Sequence, residues 1–216
     1  MQKIHIDLHK EQNIWFTSDL HFGHRNVIKF CNRPFTDEKD METALINNWN
    51  NVVGDNDIVF VLGDTFWFND SRTIKKTLSQ LKGKTIYMIP GNHDEFEHYH
   101  RVDDPRIVLC QDVVCLWVTR ENKPKREIWL SHYPMMTWPH RENNAWQLFG
   151  HIHSNKNRTE GVDQDLPLHW NQQDVGCDFW EYEPVDLREL EIYMQLKKLQ
   201  SNTSQSLLDL ANGCNK

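Results

Sequence analysis

Residues 58–64 read Ile-Val-Phe-Val-Leu-Gly-Asp. Five consecutive apolar side chains predict a strand buried on both faces, and the run stops at a glycine followed by a carboxylate. The same construction recurs along the chain. Upstream, Ile14-Trp15-Phe16 leads into Ser18-Asp19. Downstream, Thr85–Ile89 predicts a buried strand ending in Pro90-Gly91-Asn92-His93, and residues 145–149 predict another ending in Gly150-His151. Ile4, Ile6 and Leu8 alternate with polar residues, the period of a half-exposed strand.

Helices alternate with the early strands. Asp37 followed by Met41, Leu45, Ile46, Trp49, Val52 and Val53 predicts a capped amphipathic helix closed at Gly54, and residues 71–81 predict a second, stopped near Gly83. Later the pattern changes: residues 113–119 and 127–131 flank a polar stretch, which signals a hairpin. Asp186 with Glu189 resembles a capping box that opens a helix through about Lys198. No linker or repeat interrupts the chain. The expectation is one α/β domain over residues 1–200, its second half richer in antiparallel pairs, with residues 201–216 as a loosely ordered polar tail.

At 216 residues with 38% apolar content, 9 Trp and 10 Phe, the chain can bury a substantial core. No apolar run nears the roughly 20 residues of a membrane span, so no membrane partner is expected. Residues 1–10 lack a signal-peptide core. The five cysteines (Cys31, Cys110, Cys115, Cys177, Cys214) are odd in number and form no CxxC. They read as small buried hydrophobes in a reducing, cytoplasmic setting. Net charge of −7 argues against a long nucleic acid as partner. It leaves phosphorylated small molecules open, since cations held in a cleft reverse the local sign.

Every predicted core strand ends in metal-ligand side chains: Asp19 and His21, then Asp64, then Asn92 and His93, then His132, then His151 and His153. Carboxyl ends of strands are where α/β sheets form binding crevices. Aspartate oxygen and imidazole nitrogen suit borderline divalent ions such as Mn, Fe or Zn, with Mg admitted as well. Asp-x-His and His-x-His each supply two ligands, and one carboxylate, most naturally Asp64, can bridge two ions. Ions about 3.5–4 Å apart lower the pKa of a shared water and stabilise both oxygens of an in-line displacement at phosphorus.

The series Asp19-Leu20-His21, Gly63-Asp64, Gly91-Asn92-His93-Asp94, Ser131-His132 and Gly150-His151-Ile152-His153 resembles the calcineurin-like metallophosphoesterase superfamily, with all five blocks in that family's order. The resemblance implies a four-layer αββα sandwich with two mixed β-sheets and a dinuclear metal centre. It implies one divalent ion on Asp19, His21, Asp64 and His153, and a second on Asp64, Asn92, His132 and His151. It further implies hydrolysis of a small phosphorylated substrate, monoester or diester, by a metal-bound hydroxide, with His93 contacting the phosphate and protonating the leaving oxygen. One position departs from the pattern: where many members carry a second Asp that orients the histidine, this chain has Trp67. Asp94 and Asp70 are the candidates to replace it.

Other residues carry two readings each. His24 is a candidate substrate contact or a support behind a ligand. Arg33 could clamp a phosphate bidentately or pair with a nearby carboxylate. Trp138 and His140 could wall the cleft or pack in the core. His5, Asp7 and His9 read as a solvated strand face, His98 and His100 as a surface turn, and the tryptophans as core rather than as a stacking platform for bases. Rival functions are a non-catalytic scaffold on the same fold, a phosphodiesterase acting on nucleotides or nucleic-acid ends, and a lipid-linked pyrophosphate hydrolase. Intact ligand motifs count against the first. His93, where some lipid-linked relatives carry Arg, counts against the last.

Overall fold

The computed structural model describes residues 1–67, 70–154 and 168–213. Its first half runs β1 (Gln2–Leu8), β2 (Ile14–Thr17), α1 (Val27–Phe30), α2 (Glu38–Val52), β3 (Ile58–Leu62), α3 (Ser71–Leu78), β4 (Thr85–Ile89) and α4 (Phe96–Tyr99). There follow β5 (Ile107–Leu109), β6 (Val113–Arg120), β7 (Lys123–Ser131), a 3-10 turn (Arg141–Asn143), β8 (Trp146–Phe149), β9 (Gln172–Asp174), β10 (Val185–Asp186) and α5 (Leu187–Gly213). Two five-stranded mixed sheets result, ordered β1-β6-β7-β8-β9 and β10-β2-β3-β4-β5.

All five residues of β3 are buried, and the strand is central, parallel to both β2 and β4. Its alternating side chains feed two cores. Phe60 stacks between Phe16 (5.7 Å) and Tyr87 (4.6 Å) on the face toward the other sheet. There Ile4, Ile6, Val114, Leu116, Ile128, Leu130 and Leu148 complete the inter-sheet core. Val59 and Val61 point the other way, onto Met41, Leu45 and Trp49 of α2 and Ile74 and Leu78 of α3. Asp37 and Asp70 cap these helices by accepting from the backbone N–H groups of Asp40 and Thr73.

The α/β sandwich of two mixed sheets is as expected. The outer face of the β1-containing sheet is covered by residues 133–145, with Trp138 and Ala145 packed on Cys115 and Trp129. Trp138 is therefore core, its indole N–H donating to Ala145 O (3.0 Å), and His140 pairs with Glu127, so neither walls the cleft. The hairpin β6–β7 is antiparallel and turns at Glu121-Asn122, so the stretch expected as a polar loop is mostly strand. β7–β8 and β8–β9 are parallel. β9 escapes sequence reading because it is polar, Gln-Gln-Asp, yet buried. Its Gln172 amide donates to Gln147 Oε1 (2.9 Å) and Met135 O (2.7 Å), which satisfies it inside the protein.

Helix α3 stops at Leu78, short of 81, whereas α5 runs past Lys198 to Gly213, so the expected tail is helical through 213 and residues 214–216 lie outside the described residues. Leu187, Leu190 and Met194 anchor α5 in the inter-sheet core. Cys31, Cys110, Cys115 and Cys177 are buried and free, and Cys214 lies outside the described residues. His5 and Asp7 sit on the exposed face of β1, and His98 pairs with Glu95 at the surface. No helix among the described residues is long and apolar enough to cross a membrane.

Truncating the central aromatic, Phe60→Ala, is expected to lower the unfolding free energy by about 3–5 kcal/mol, read as a reduced urea midpoint at unchanged slope.

Candidate metal centre

Strands β2, β3, β4, β7 and β8 all end at one edge of the sandwich, and the loops that leave them are locked backbone to backbone. Asp19 N–H donates to Gly63 O (3.0 Å), His21 N–H to Asp64 O (3.0 Å) and Gly150 N–H to His132 O (2.9 Å). Asp19, His21, Asp64, His151 and His153 adopt φ of +58°, +53°, +51°, +72° and +46°. Left-handed backbone costs an L-residue about 1–2 kcal/mol, less readily borne by branched side chains than by Asp or His. The motif glycines admit this crowding. A Cβ on Gly91 would lie 2.1 Å from Asp64 Oδ1, and one on Gly150 would lie 2.0 Å from Ser18 Oγ and 2.4 Å from Asp19 Oδ2.

The expected ligand residues come together. Asp64 Oδ2 lies 3.7 Å from His21 Nε2 and 3.5 Å from His132 Nε2. His21 Nε2 is 3.3 Å from His153 Nε2, which is 3.9 Å from Asp19 Oδ1. Asn92 Oδ1 is 3.0 Å from His132 Nε2. His151 donates its backbone N–H to Asp19 (2.9 Å), and its ring lies 5.1 Å from that of His132. Donors that share an ion at about 2.1 Å are themselves about 3.0–3.5 Å apart. Among the described residues three clusters are close enough to hold an ion: Asp19-His21-His153, Asp19-Asp64-His132 and, behind the first, Cys31-His153-Asp178.

The electrostatics call for positive charge. Asp19 and Asp64 are buried, and Asp64 is held above the usual carboxylate range by burial first, against the pull of His132. His153 is pushed up to about 11: burial opposes its protonation, but Asp19 and the hydrogen bond to Asp178 outweigh it. His21 moves the other way, well below its ordinary value, through burial and then the neighbouring His153. Two imidazole nitrogens facing each other at 3.3 Å need a shared proton or cation between their lone pairs. An oxygen and nitrogen donor set of this kind fits divalent ions.

Arg33 does not face the cleft. It is buried, forks bidentately onto Asp178 (2.9 and 2.8 Å) and donates to Asp19 O (2.7 Å) and Leu20 O (3.1 Å). Asp178 in turn accepts from His153 Nδ1 (2.8 Å), which fixes the ring with Nε2 toward the cage. A guanidinium among carbonyls and a carboxylate has no donor left for substrate, so the phosphate-clamp reading is overturned. Asp94 is likewise reassigned. It accepts from the N–H groups of Asp64 (2.7 Å), Thr65 (3.1 Å) and Gly91 (2.9 Å) and from the Tyr99 hydroxyl, tying two motif loops together rather than orienting His93. Asp70 is a helix cap.

Asp174 and Asp178 were missed. Asp174 accepts from Gly176 N–H (2.7 Å) and Ser154 N–H (3.1 Å), and burial, then Asp19, pushes it up to about 7. The signal was present: Asp174-Val-Gly-Cys-Asp178 repeats the carboxylate-and-glycine punctuation of the other motifs, but behind a strand too polar to recognise. His93 donates its backbone N–H to Asp64 Oδ1 (2.9 Å), and its Nε2 is 4.0 Å from Asp64 Oδ2. Its 41% exposed side chain sits at the cleft mouth. His24 is half-buried at the same mouth, 5.3 Å from His21 between ring centroids and stacked on Trp67.

Paired mixed sheets with an Asp/His/Asn cage at their common carboxyl edge define a class of α/β metalloproteins. The calcineurin-like phosphoesterase family model matches residues 12–180, and the chain belongs to that family. An uncharacterized protein of Methanocaldococcus jannaschii is 46% identical over 92 residues, 42% of this chain and 52% of that protein, so the chain spans about half that relative's length. The gene 66 proteins of Mycobacterium phages L5 and D29 are 27% and 30% identical, over 78% and 81% of this chain and 87% and 92% of theirs. A protein of unknown function from Aquifex aeolicus shares the fold, with TM-score 0.61 at 24% identity over 84% of this chain and 98% of its own.

Asp178→Asn is expected to weaken Mn or Zn binding about 10–100-fold, measured by metal competition, because the ring of His153 loses its anchor. Arg33→Met strips the buried Asp178 of its bidentate guanidinium, leaving only His153 beside it, and is expected to cost about 3–5 kcal/mol in urea unfolding.

Proposed function

We propose that the chain hydrolyses esters of a small phosphorylated substrate with two divalent ions, one on Asp19, His21, Asp64 and His153 and the other on Asp64, Asn92, His132 and His151. The observation that carries this reading is the single oxygen Asp64 Oδ2 between two imidazole donors, at 3.7 and 3.5 Å. When bound, such ions supply Lewis acidity and a water of lowered pKa. The protein's own groups do the rest. The left-handed motif loops hold the donors in place with little reorganisation, and Arg33 through Asp178 keeps His153 in the right tautomer. Asp94 keeps the Asp64 and Gly91 loops in register. His93, half open to solvent beside Asp64, is the group able to pass a proton to the leaving oxygen. The net charge of −7 favours a small substrate over a long polyanion.

Two variants test the assignment. Asp64→Asn is expected to lose metal stoichiometry, measured by elemental analysis, together with turnover of an aryl phosphate. His93→Gln is expected to keep its metal yet turn over about 100-fold or more slowly. Full turnover in the Asp64 variant would overturn the bridging role. Chelation is expected to abolish activity and lower the melting temperature, and added Mn to restore both.

A further inference from the structure

Trp67 occupies the position three residues after Asp64, beside His93. Its indole lies 3.8 Å from the His24 imidazole and 6° from parallel to it, and 4.9 Å from His93. His24 covers one face of the ring, yet Trp67 remains 44% exposed. Phe30, 67% exposed, stands edge-on to His24 at 6.3 Å. A large aromatic held rigid from behind and wet in front, at the mouth of a polar cage, presents apolar area that a planar partner would remove from water. On the cage's opposite flank a second exposed ring, Tyr133 (51%), lies over His151 and His132, at 4.4 and 5.1 Å.

The side of the cleft matters. Hydrolysis breaks the bond from phosphorus to the leaving oxygen, adds a water oxygen to phosphorus and passes one proton to the leaving oxygen. If His93 delivers that proton, the leaving group lies on the His93 side, and Trp67 is the exposed ring that packs against His93 there, at 4.9 Å. We infer that Trp67, backed by His24, is the stacking wall for a planar ring carried by the leaving group, the base of a nucleoside or the aryl ring of a phenol, in the substrate whose phosphate sits over the donor cage. This rests on the hydrolytic reading of the same site and deepens it. Stacking recognises the π-face of any such ring and does not depend on a basic surface, which suits a chain of net charge −7.

Phosphonates, whose P–C bond resists hydrolysis, separate binding from turnover. Phenylphosphonate and the phosphonate isostere of adenosine monophosphate are titrated calorimetrically into the Mn-loaded protein beside butylphosphonate. Both aromatic ligands are expected to bind about tenfold tighter than the alkyl one. Trp67→Leu is expected to erase that preference while leaving butylphosphonate affinity and melting temperature in place, and Trp67→Phe to retain most of it. The tighter of the two aromatic arms distinguishes nucleobase from simple aryl ring. Equal affinities in the wild type, or a preference that survives Trp67→Leu, would overturn the wall. Hydrolysis of phosphate esters without the preference defeats the wall and leaves the hydrolytic reading intact. The preference without any hydrolysis under Mn, Fe, Zn or Mg does the reverse.

Discussion

Buried negative charge without matching positive charge is the constraint on which this molecule depends. Asp19 and Asp64 are withdrawn from water at the edge where five strands end. Arg33, the one buried arginine or lysine among the described residues, is committed to Asp178. Carboxylates so placed are costly unless a proton or a cation joins them. The upward pull on His153 is that demand expressed as protonation, and a divalent ion answers it more completely.

Keeping such a cluster together needs a scaffold that does not relax. Five left-handed residues, two glycines pressed against carboxylates, and Asp94 bonded to three backbone N–H groups from two loops make the cage stiff before any ion arrives. The central strand β3 supports the whole arrangement, with aromatic stacking on one face and helix packing on the other. Strain at the cage is thus held by apolar packing a few ångströms below it.

Much of this was legible in residue order. Strand β3, the capped helix α2 and the β6–β7 hairpin follow from hydrophobic period and capping chemistry, and the donor residues stand out because each follows a strand within four positions. The polar strand β9 was not legible, since the amides of Gln172 and Gln147 find their partners, each other, Met135 O and Ser131 Oγ among them, only inside the fold. Helix α5 overran its expected end because the polar residues after Lys198 carry no stop signal of the glycine or proline kind before Gly213. Trp67 stands out in sequence only as the residue at a position where many family members carry Asp, and its exposure and its stacking on His24 belong to the fold.

The sequence by itself determined which atoms can bind a cation and at which strand ends they lie, because ligand chemistry tolerates few side chains and motif spacing is local. Which polar residues turn toward the cleft and which toward the interior was decided by tertiary structure alone. Arg33 and Asp178 are 145 positions apart, and neither orientation is set until the two sheets close and leave each as the other's partner. A charged side chain follows the nearest opposite charge in a dry environment, and that neighbour exists only in the folded chain.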